Sequence, residues 1–135
     1  MSVTYEYPVT ILERHLDTFG HVNNATYLEL YEEARWDFIT QNGYDFARIQ
    51  REKVGPIILD LNLTFKRELL NREKIVIKSQ YQGMKNKYIM TLNQWMMKED
   101  GKIASTLELS VALMDMKERK MVEPIADWMN AIGAN

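Results

Sequence analysis

The chain has no cysteine among its 135 residues, which excludes disulfides, thiolate zinc sites and a cysteine nucleophile. No uninterrupted apolar run approaches the ~20 residues that span a bilayer. The first ten residues, MSVTYEYPVT, lack the basic-then-apolar pattern of a secretory signal. These absences together predict a cytoplasmic protein without membrane insertion.

An excess of positive charge is also absent. The formal net charge is -2, which gives no electrostatic reason to expect nucleic acid as a partner. The composition, 46% hydrophobic and 27% charged, is ordinary for a globular protein. Because no Ser/Gly-rich linker, low-complexity tract or internal repeat interrupts the chain, residues 1–135 are predicted to form one domain.

One segment, Ala25–Asn42, has the period of an amphipathic helix and is followed by Gly43, a favourable C-terminal stop. Its apolar stripe carries Tyr27, Leu30, Tyr31, Ala34 and Phe38, and its opposite arc carries Glu29, Glu32, Glu33 and Asp37. Trp36 lies among those acids. The ring is expected either to be buried against a neighbouring subunit or to lie flat on its own surface.

The other patterns predict five strands. The first, Tyr5–Arg14, alternates and contains Pro8, which favours an edge or a bulge. The second begins at Gly55 and alternates through Lys66, with one face made of Ile57, Leu59, Leu61, Leu63 and Phe65. Three further strands are separated by short turns: Ile75–Tyr81, Lys87–Lys98 and Lys102–Met116. A short helix is predicted over Ile125–Ala131.

Short turns between strands imply antiparallel neighbours, so the sequence predicts an α+β fold. One helix has to cover the apolar face of five strands, and the simplest solution curls the sheet around it. Because a single helix leaves an edge of the sheet uncovered, pairing with a second copy is expected. The predicted assembly is a homodimer, which can double to a homotetramer.

The loop HLDTFGHVNN, His15 to Asn24, comes directly before the predicted helix. The first N–H groups of a helix lack intrahelical partners and carry the positive end of the helix dipole, which favours a carbonyl oxygen that gains negative charge. Gly20 permits a positive φ and a close approach to the backbone. Asn23 or Asn24 is the expected N-cap.

Asp17 stands at this electropositive end, which favours its ionised form. An ionised carboxylate there is able to deprotonate water or to attack an activated acyl carbon, which suits hydrolysis of a thioester. The alternative, which is the usual role of an Asp in a turn before a helix, is that Asp17 only makes local hydrogen bonds, with His21 as a loop donor and Asn24 as a cap.

The segment DTFGHVNNATYLELYEEAR resembles the signature of the hot-dog-fold acyl-CoA thioesterases, the type that includes 4-hydroxybenzoyl-CoA thioesterase and long-chain acyl-CoA thioesterases. The matching positions are Asp17, Gly20, His21, Val22, Asn23, Asn24, Tyr27 and Glu33 to Arg35. The resemblance covers nearly the whole chain. It implies a hot-dog fold, in which a five-stranded antiparallel sheet wraps one long central helix.

The same resemblance implies hydrolysis of acyl-CoA thioesters to a free acid and CoA, without a cofactor. Asp17 would be the nucleophile or general base, and backbone N–H groups near His21 and Val22 would polarise the thioester carbonyl. Gly20 and Asn24 complete the implied catalytic set. Many members of that family carry an acid two residues before this Asp, where the present chain has His15.

Binding of CoA phosphates calls for cations near the pocket mouth. The candidates follow predicted strands or lie in turns, and each is equally readable as a plain solvated charge: Lys66, Arg67, Lys85, Lys87, Arg119 and Lys120. Tyr27 is a further candidate substrate contact, although its place on the apolar stripe already explains it. Met90, Met96 and Met97 would make an adaptable acyl lining, or simply fill the core.

No zinc-ligand spacing and no Gly-rich phosphate loop occurs in the sequence. Three alternatives to this assignment stay open. Glu29 or Glu33 on the helix would be the reactive carboxylate if a neighbouring subunit covered that face. The domain would otherwise be a non-catalytic module that binds acyl-CoA or acyl-carrier protein, or a purely structural oligomerisation domain.

Overall fold

A computed structural model describes residues 2–134 of the chain. Three helices, α1 Asn24–Gln41, α2 Phe46–Glu52 and α3 Ala126–Ala131, accompany a short 3-10 helix, Glu13–His15. The strands are β1 Thr4–Thr10, β2 Val54–Phe65, β3 Lys74–Met84, β4 Met90–Lys98, β5 Ile103–Asp115 and β6 Lys120–Val122. Within the described range, no helix is long and apolar enough to cross a membrane.

All strand pairs are antiparallel, in the order β1-β3-β4-β5-β2, and the short β6 pairs with β5. The predicted α+β architecture, an antiparallel sheet around one long helix, is confirmed. The sheet has six strands rather than five because the three-residue β6 extends its pairing at one end of β5.

The α1 helix is the centre of the core. Its predicted apolar stripe is buried, with exposures of 5% or less for Tyr27, Leu30, Tyr31, Ala34 and Phe38. In the middle of the helix, the Tyr31 hydroxyl donates a hydrogen bond of 2.9 Å to Ser105 Oγ on β5. Both residues are 0% exposed, so this bond ties α1 to the sheet at a fixed position.

The first strand ends at Thr10 rather than at Arg14, because the following residues form the 3-10 helix. There the Leu12 N–H donates to Nδ1 of His15 (2.9 Å), so the backbone turns instead of continuing the ladder. Pro8 does lie in an edge strand, since β1 pairs only with β3.

Besides the 3-10 helix, two elements were absent from the sequence prediction. The α2 helix begins at the Asp45 side chain, which accepts the Arg48 N–H (2.8 Å), and it buries Ile49. A capping aspartate before an apolar residue was the available signal, but seven residues are too few to display a helical period. The β6 strand is only three residues long and carries no alternation.

The predicted face of the second strand is wrong, because β2 contains a bulge. Ile58 pairs with Val111 and Asp60 with Ser110, so Leu59 is an extra residue that reverses the alternation. Ile58, instead of Ile57 and Leu59, therefore shares the inner face with Leu61, Leu63 and Phe65.

The same strand is at the edge of the sheet and is largely uncovered in the single chain. Ile58, Leu59, Leu61 and Phe65 are between 41% and 52% exposed, in place of the half-buried strand that the alternation predicts. An apolar edge strand of this length is a site for pairing with another chain.

The Tyr31–Ser105 bond gives the first testable prediction. Ser105→Ala leaves the buried tyrosine hydroxyl without a partner and is expected to lower the free energy of unfolding by about 1–3 kcal/mol. Adding Tyr31→Phe removes the orphaned hydroxyl, so the double variant is expected to be more stable than Ser105→Ala alone. Urea unfolding of the wild type, the two single variants and the double variant measures this. If the two single changes in the free energy of unfolding simply add in the double variant, the bond does not couple α1 to β5.

Candidate active site

The predicted loop is a tight turn closed by backbone hydrogen bonds. The Asp17 N–H donates to the His21 carbonyl (2.8 Å) and the Gly20 N–H donates to the Asp17 carbonyl (3.1 Å). Gly20 has a φ of +81°, which an L-residue adopts only at a cost. Because Leu16 and Val22 pair across the base of this turn, Asp17 to His21 project as a compact hairpin.

The turn is attached directly to the start of α1. Asn23 is the N-cap, since its side-chain oxygen accepts the Ala25 N–H (2.9 Å). The Asn23 N–H also donates to the His15 carbonyl (2.9 Å), which joins the two ends of the loop. These two hydrogen bonds hold the hairpin against the positive end of the helix.

The Asp17 carboxylate has one engaged oxygen and one free oxygen. Oδ1 accepts the N–H of Phe19 (2.8 Å) and, at 3.3 Å, that of His21. Oδ2 accepts no hydrogen bond from any group in residues 2–134. The local-turn interpretation is therefore correct for one oxygen, while the second stays available to a ligand.

A groove of ≈ 400 Å³ opens beside this carboxylate. It brings together seven of the predicted site residues: Asp17, His21, Val22, Asn24, Tyr27, Lys66 and Arg67. Phe65 forms its apolar wall and packs edge-to-face on Tyr27, with the ring centres 4.9 Å apart. The end of β2 thus meets the start of α1, and cations, an apolar wall and a carboxylate share one space.

Gly20 shapes the turn without lining the groove. At the rim, His21 Nε2 lies 2.8 Å from the Glu68 carboxylate, so its imidazole is already paired. Sequence reasoning missed Phe65 and Glu68 as site residues. The only available signal was their position next to Lys66 and Arg67 at the end of the alternating strand.

Two of the backbone N–H groups implied for the thioester carbonyl are engaged within the chain. The Val22 N–H donates to the Leu69 carbonyl (3.2 Å), and the His21 N–H donates to Asp17 Oδ1. The Asn24 N–H, the first of α1, has no acceptor among the described residues. Of the amides at the helix entrance, Asn24 is consequently the one free to polarise a bound carbonyl.

Lys87 and Arg119 do not line the groove. Lys87 lies in the β3–β4 turn, with its ammonium 5.1 Å from the centre of the Tyr88 ring. Arg119 follows β5, whose Ser105 pairs with Phe65 beside the groove but whose Asp115 lies ten residues further along. Ten residues of strand span about 33 Å, so one chain does not bring Arg119 to Asp17.

Two of the three candidate methionines belong to the core. Met90 and Met96 are 0% exposed, and Met90 Sδ accepts the Trp128 indole N–H at 3.0 Å. Within residues 2–134, no group of three His, Asp or Glu side chains is arranged to hold a metal ion.

His15 is a buried titratable group just outside the groove, with 7% of its surface exposed. Burial is the main cause that lowers its pKa, and Arg14 acts in the same direction, whereas Glu33 and Glu29 oppose it. Since Nδ1 accepts the Leu12 N–H, protonation of that nitrogen would also break the bond that turns the chain into the loop.

A pH dependence of stability follows from this pKa. A histidine whose folded-state pKa lies below its ordinary value of about 6.5 favours the fold when neutral. The contribution of neutral His15 to the free energy of unfolding is thus expected to be complete above a pH of about 6.5. It is lost as the pH drops through the lowered pKa, by at most about 1.4 kcal/mol per pH unit. Denaturant titrations between pH 8 and pH 5 measure this, and His15→Gln should flatten the profile; an unchanged slope would contradict the assignment.

Comparison with known proteins assigns the family. Residues 11–132 match the family model described as the thioesterase-like superfamily, and the chain belongs to that family. It is 28% identical over 106 residues to the long-chain acyl-CoA thioesterase FadM of Escherichia coli (strain K12), a stretch that covers 78% of this chain and 80% of FadM.

Two further similarities were found, one in sequence and one in fold. The chain is 29% identical over 83 residues to the chloroplastic acyl-acyl carrier protein thioesterase ATL3 of Arabidopsis thaliana, which covers 62% of this chain and 44% of that protein. The crystal structure of the YbaW Probable Thioesterase from Escherichia coli superposes with a TM-score of 0.83 at 24% identity, covering 95% of this chain and 98% of that one. The expected family and fold are both confirmed.

Proposed function

We propose that this protein hydrolyses acyl-CoA thioesters to a carboxylic acid and CoA, with Asp17 as the reactive carboxylate. The observation that carries the proposal is that Asp17, whose Oδ2 accepts no hydrogen bond from the described residues, lines the same groove as Asn24, whose N–H begins α1 without an acceptor in the described chain. The family and the relative FadM support the substrate class. The lack of cysteine supports a reducing compartment, which we take to be the cytoplasm.

The chemistry divides between the backbone and the carboxylate. The Asn24 N–H and the dipole of α1 stabilise negative charge on the carbonyl oxygen of the thioester. Asp17 Oδ2 then either attacks the acyl carbon, expelling the CoA thiolate and leaving an anhydride for water to hydrolyse, or removes a proton from a water that attacks the acyl carbon, after which the tetrahedral intermediate expels the CoA thiolate. In both routes the oxygen that Phe19 and His21 bind keeps the carboxylate in position.

The remainder of the groove suits the two parts of the substrate. Lys66 and Arg67 are exposed cations on one side, matched to the phosphates of CoA. Tyr27 and Phe65 provide an apolar wall for the chain next to the thioester. The same groove would accept the phosphopantetheine arm of an acyl-carrier protein. The similarity to ATL3, an acyl-acyl carrier protein thioesterase, supports this second carrier.

The decisive variant is Asp17→Asn. Asparagine keeps an oxygen for the turn N–H groups but neither attacks carbon nor accepts a proton readily, so kcat is expected to fall by about 100-fold or more while the fold is retained. Release of free thiol from short, long and aromatic acyl-CoAs measures kcat, and circular dichroism checks the fold.

Glu33→Gln is the matched control. Glu33 accepts the Tyr7 hydroxyl at 3.4 Å and does not line the Asp17 groove, so its loss is expected to change kcat by less than about threefold. A large loss in Glu33→Gln together with full activity in Asp17→Asn would move the reaction to the helix acids. Tight acyl-CoA binding by the wild type without any thiol release would make the protein a binding module.

We also infer that two copies pair through β2. Apart from β5, no strand in residues 2–134 pairs with β2, and its inner face exposes Ile58, Leu61 and Phe65. Antiparallel pairing of two such edges would satisfy the outward N–H and C=O groups and extend the sheet across both copies. Two such dimers packed together would give a tetramer.

Leu61→Lys tests this surface. A lysine in the middle of the exposed apolar strip opposes its burial, so the variant is expected to be a monomer by light scattering coupled to size-exclusion chromatography. Thr4→Lys places the same charge on the opposite edge strand and should leave the wild-type mass. A monomeric wild type, or a dimeric Leu61→Lys variant, would contradict pairing through β2.

A further inference from the structure

A second, smaller pocket lies between the latter half of α1 and the edge strand β2. Its volume is ≈ 90 Å³ and it is distinct from the Asp17 groove. Trp36, Ile39 and Ile58 form the walls. The base consists of buried apolar side chains, Leu92, Val111 and Trp128, each 2% exposed or less. Such a lining suits a hydrocarbon segment.

Two charged residues, Arg35 and Glu32, line this otherwise apolar pocket, and a hydrogen bond to the core holds Arg35 in place. Its Nη1 donates a hydrogen bond of 2.9 Å to Gln94 Oε1. The Gln94 amide is itself fixed, because its Nε2 donates to the Tyr31 carbonyl (3.0 Å) and to Ser79 Oγ (2.9 Å). Gln94 is 1% exposed, so the guanidinium is anchored to a rigid core network.

Arg35 forms no direct ion pair with a carboxylate of the described residues, although Glu32 lines the same pocket and acts on its charge. Among residues 2–134, no Asp or Glu oxygen lies within 4.0 Å of its guanidinium. No side-chain nitrogen or oxygen of the described residues is both buried and unbonded. Any guanidinium nitrogen that does not bind Gln94 therefore keeps some accessible surface, and Arg35 is one of the residues that line the pocket.

Solvation of this charge is poor. Burial lowers the pKa of Arg35, and Glu32, which also lines the pocket, opposes the shift, yet a guanidinium stays protonated. A fixed, partly desolvated guanidinium with free N–H groups binds an oxygen anion strongly and with directional preference. The apolar walls around it exclude a fully hydrated inorganic anion in favour of one attached to a hydrocarbon.

We propose that the Arg35 pocket binds a carboxylate at the far end of the acyl group, so that this protein prefers thioesters of dicarboxylic acids. The inference rests on the thioesterase function proposed above and specifies its substrate class. The hydrocarbon between the two ends lies against Trp36 and Ile58, and the terminal carboxylate accepts the free N–H groups of Arg35.

The proposed dimer supplies a route between the groove and the pocket. Within one chain they are eleven helical residues apart, Asn24 to Arg35, or about 16 Å along α1. The exposed part of β2, from Ile58 to Phe65, has its midpoint between Leu61 and Asn62. Antiparallel pairing about that midpoint would set Phe65, the groove wall, opposite Ile58 of the partner subunit, which is a wall of the partner's pocket.

The test compares two substrates of equal length, hexanoyl-CoA and hexanedioyl-CoA, which differ only in the terminal carboxylate. The wild type is expected to have the higher kcat/KM for hexanedioyl-CoA. Arg35→Gln should lower the ratio of the two kcat/KM values by about 10- to 100-fold, the loss of one charge-assisted hydrogen-bonded contact. Arg35→Lys keeps the charge without the planar fork and should give an intermediate ratio.

Arg51→Gln is the matched control, because Arg51 is an exposed arginine on α2 with a 68% accessible side chain. It should keep the wild-type ratio. If Arg35→Gln lowers kcat/KM equally for both substrates, the residue only supports the fold and the proposal is overturned. If Arg35→Gln fails to fold, Arg35→Lys decides alone: an unchanged substrate ratio would overturn the proposal.

A binding measurement separates this proposal from the function on which it rests. Hexanedioate should raise the Tm of the wild type and of Asp17→Asn more than hexanoate does, and this difference should vanish in Arg35→Gln. Hexanedioate stabilisation without any thioester hydrolysis would refute the proposed function but support the pocket. The pocket alone would be refuted if the protein hydrolyses thioesters without preferring hexanedioyl-CoA to hexanoyl-CoA, and if hexanedioate raises the Tm no more than hexanoate does.

Discussion

The placement of α1 inside the curled sheet determines most of what this protein can do. A single helix buries its apolar stripe against the sheet, and the bond from Tyr31 to Ser105 fixes its position at the centre. Because the sheet is wider than one helix, the strip along β2 stays uncovered, with Leu61 43% exposed. The Asp17 groove and the Arg35 pocket both open along that uncovered strip, about three turns apart on the same helix.

The short segment at the start of α1 has a structural role in the turn and carries the carboxylate to which we assign the chemistry. Asp17 Oδ1 accepts N–H groups of its own turn, as an aspartate before a helix commonly does. Those bonds hold the carboxylate in place and leave Oδ2 without a hydrogen bond from the described residues, while Asp17 lines the groove. The residue that stabilises the turn is thus also the one proposed to react, and a side chain with one oxygen would be able to provide only the first role.

Much of the fold was predictable where local periodicity and burial agree. The long helix was predicted over Ala25–Asn42 and runs over Asn24–Gln41, because an uninterrupted apolar stripe fits only the helical period. The inner face of β2 was mispredicted because the bulge at Leu59 depends on pairing with β5, which the strand's own residues do not reveal. The α2 helix was missed because its stability comes from its cap and from burial of Ile49 instead of from a long pattern.

For the candidate site, too, local sequence predicted one part and long-range packing decided the other. By itself, the sequence determined the family resemblance and the neighbourhood of Asp17, His21 and Asn24, since residues within one short loop before a helix have to lie together. Only the tertiary structure decided that Lys66 and Arg67 join them while Lys87 and Arg119 do not, and that Leu69 engages the Val22 amide. Which turns and strand ends meet depends on strand order, register and length. Those follow from long-range packing of the sheet around α1, and no local pattern encodes them.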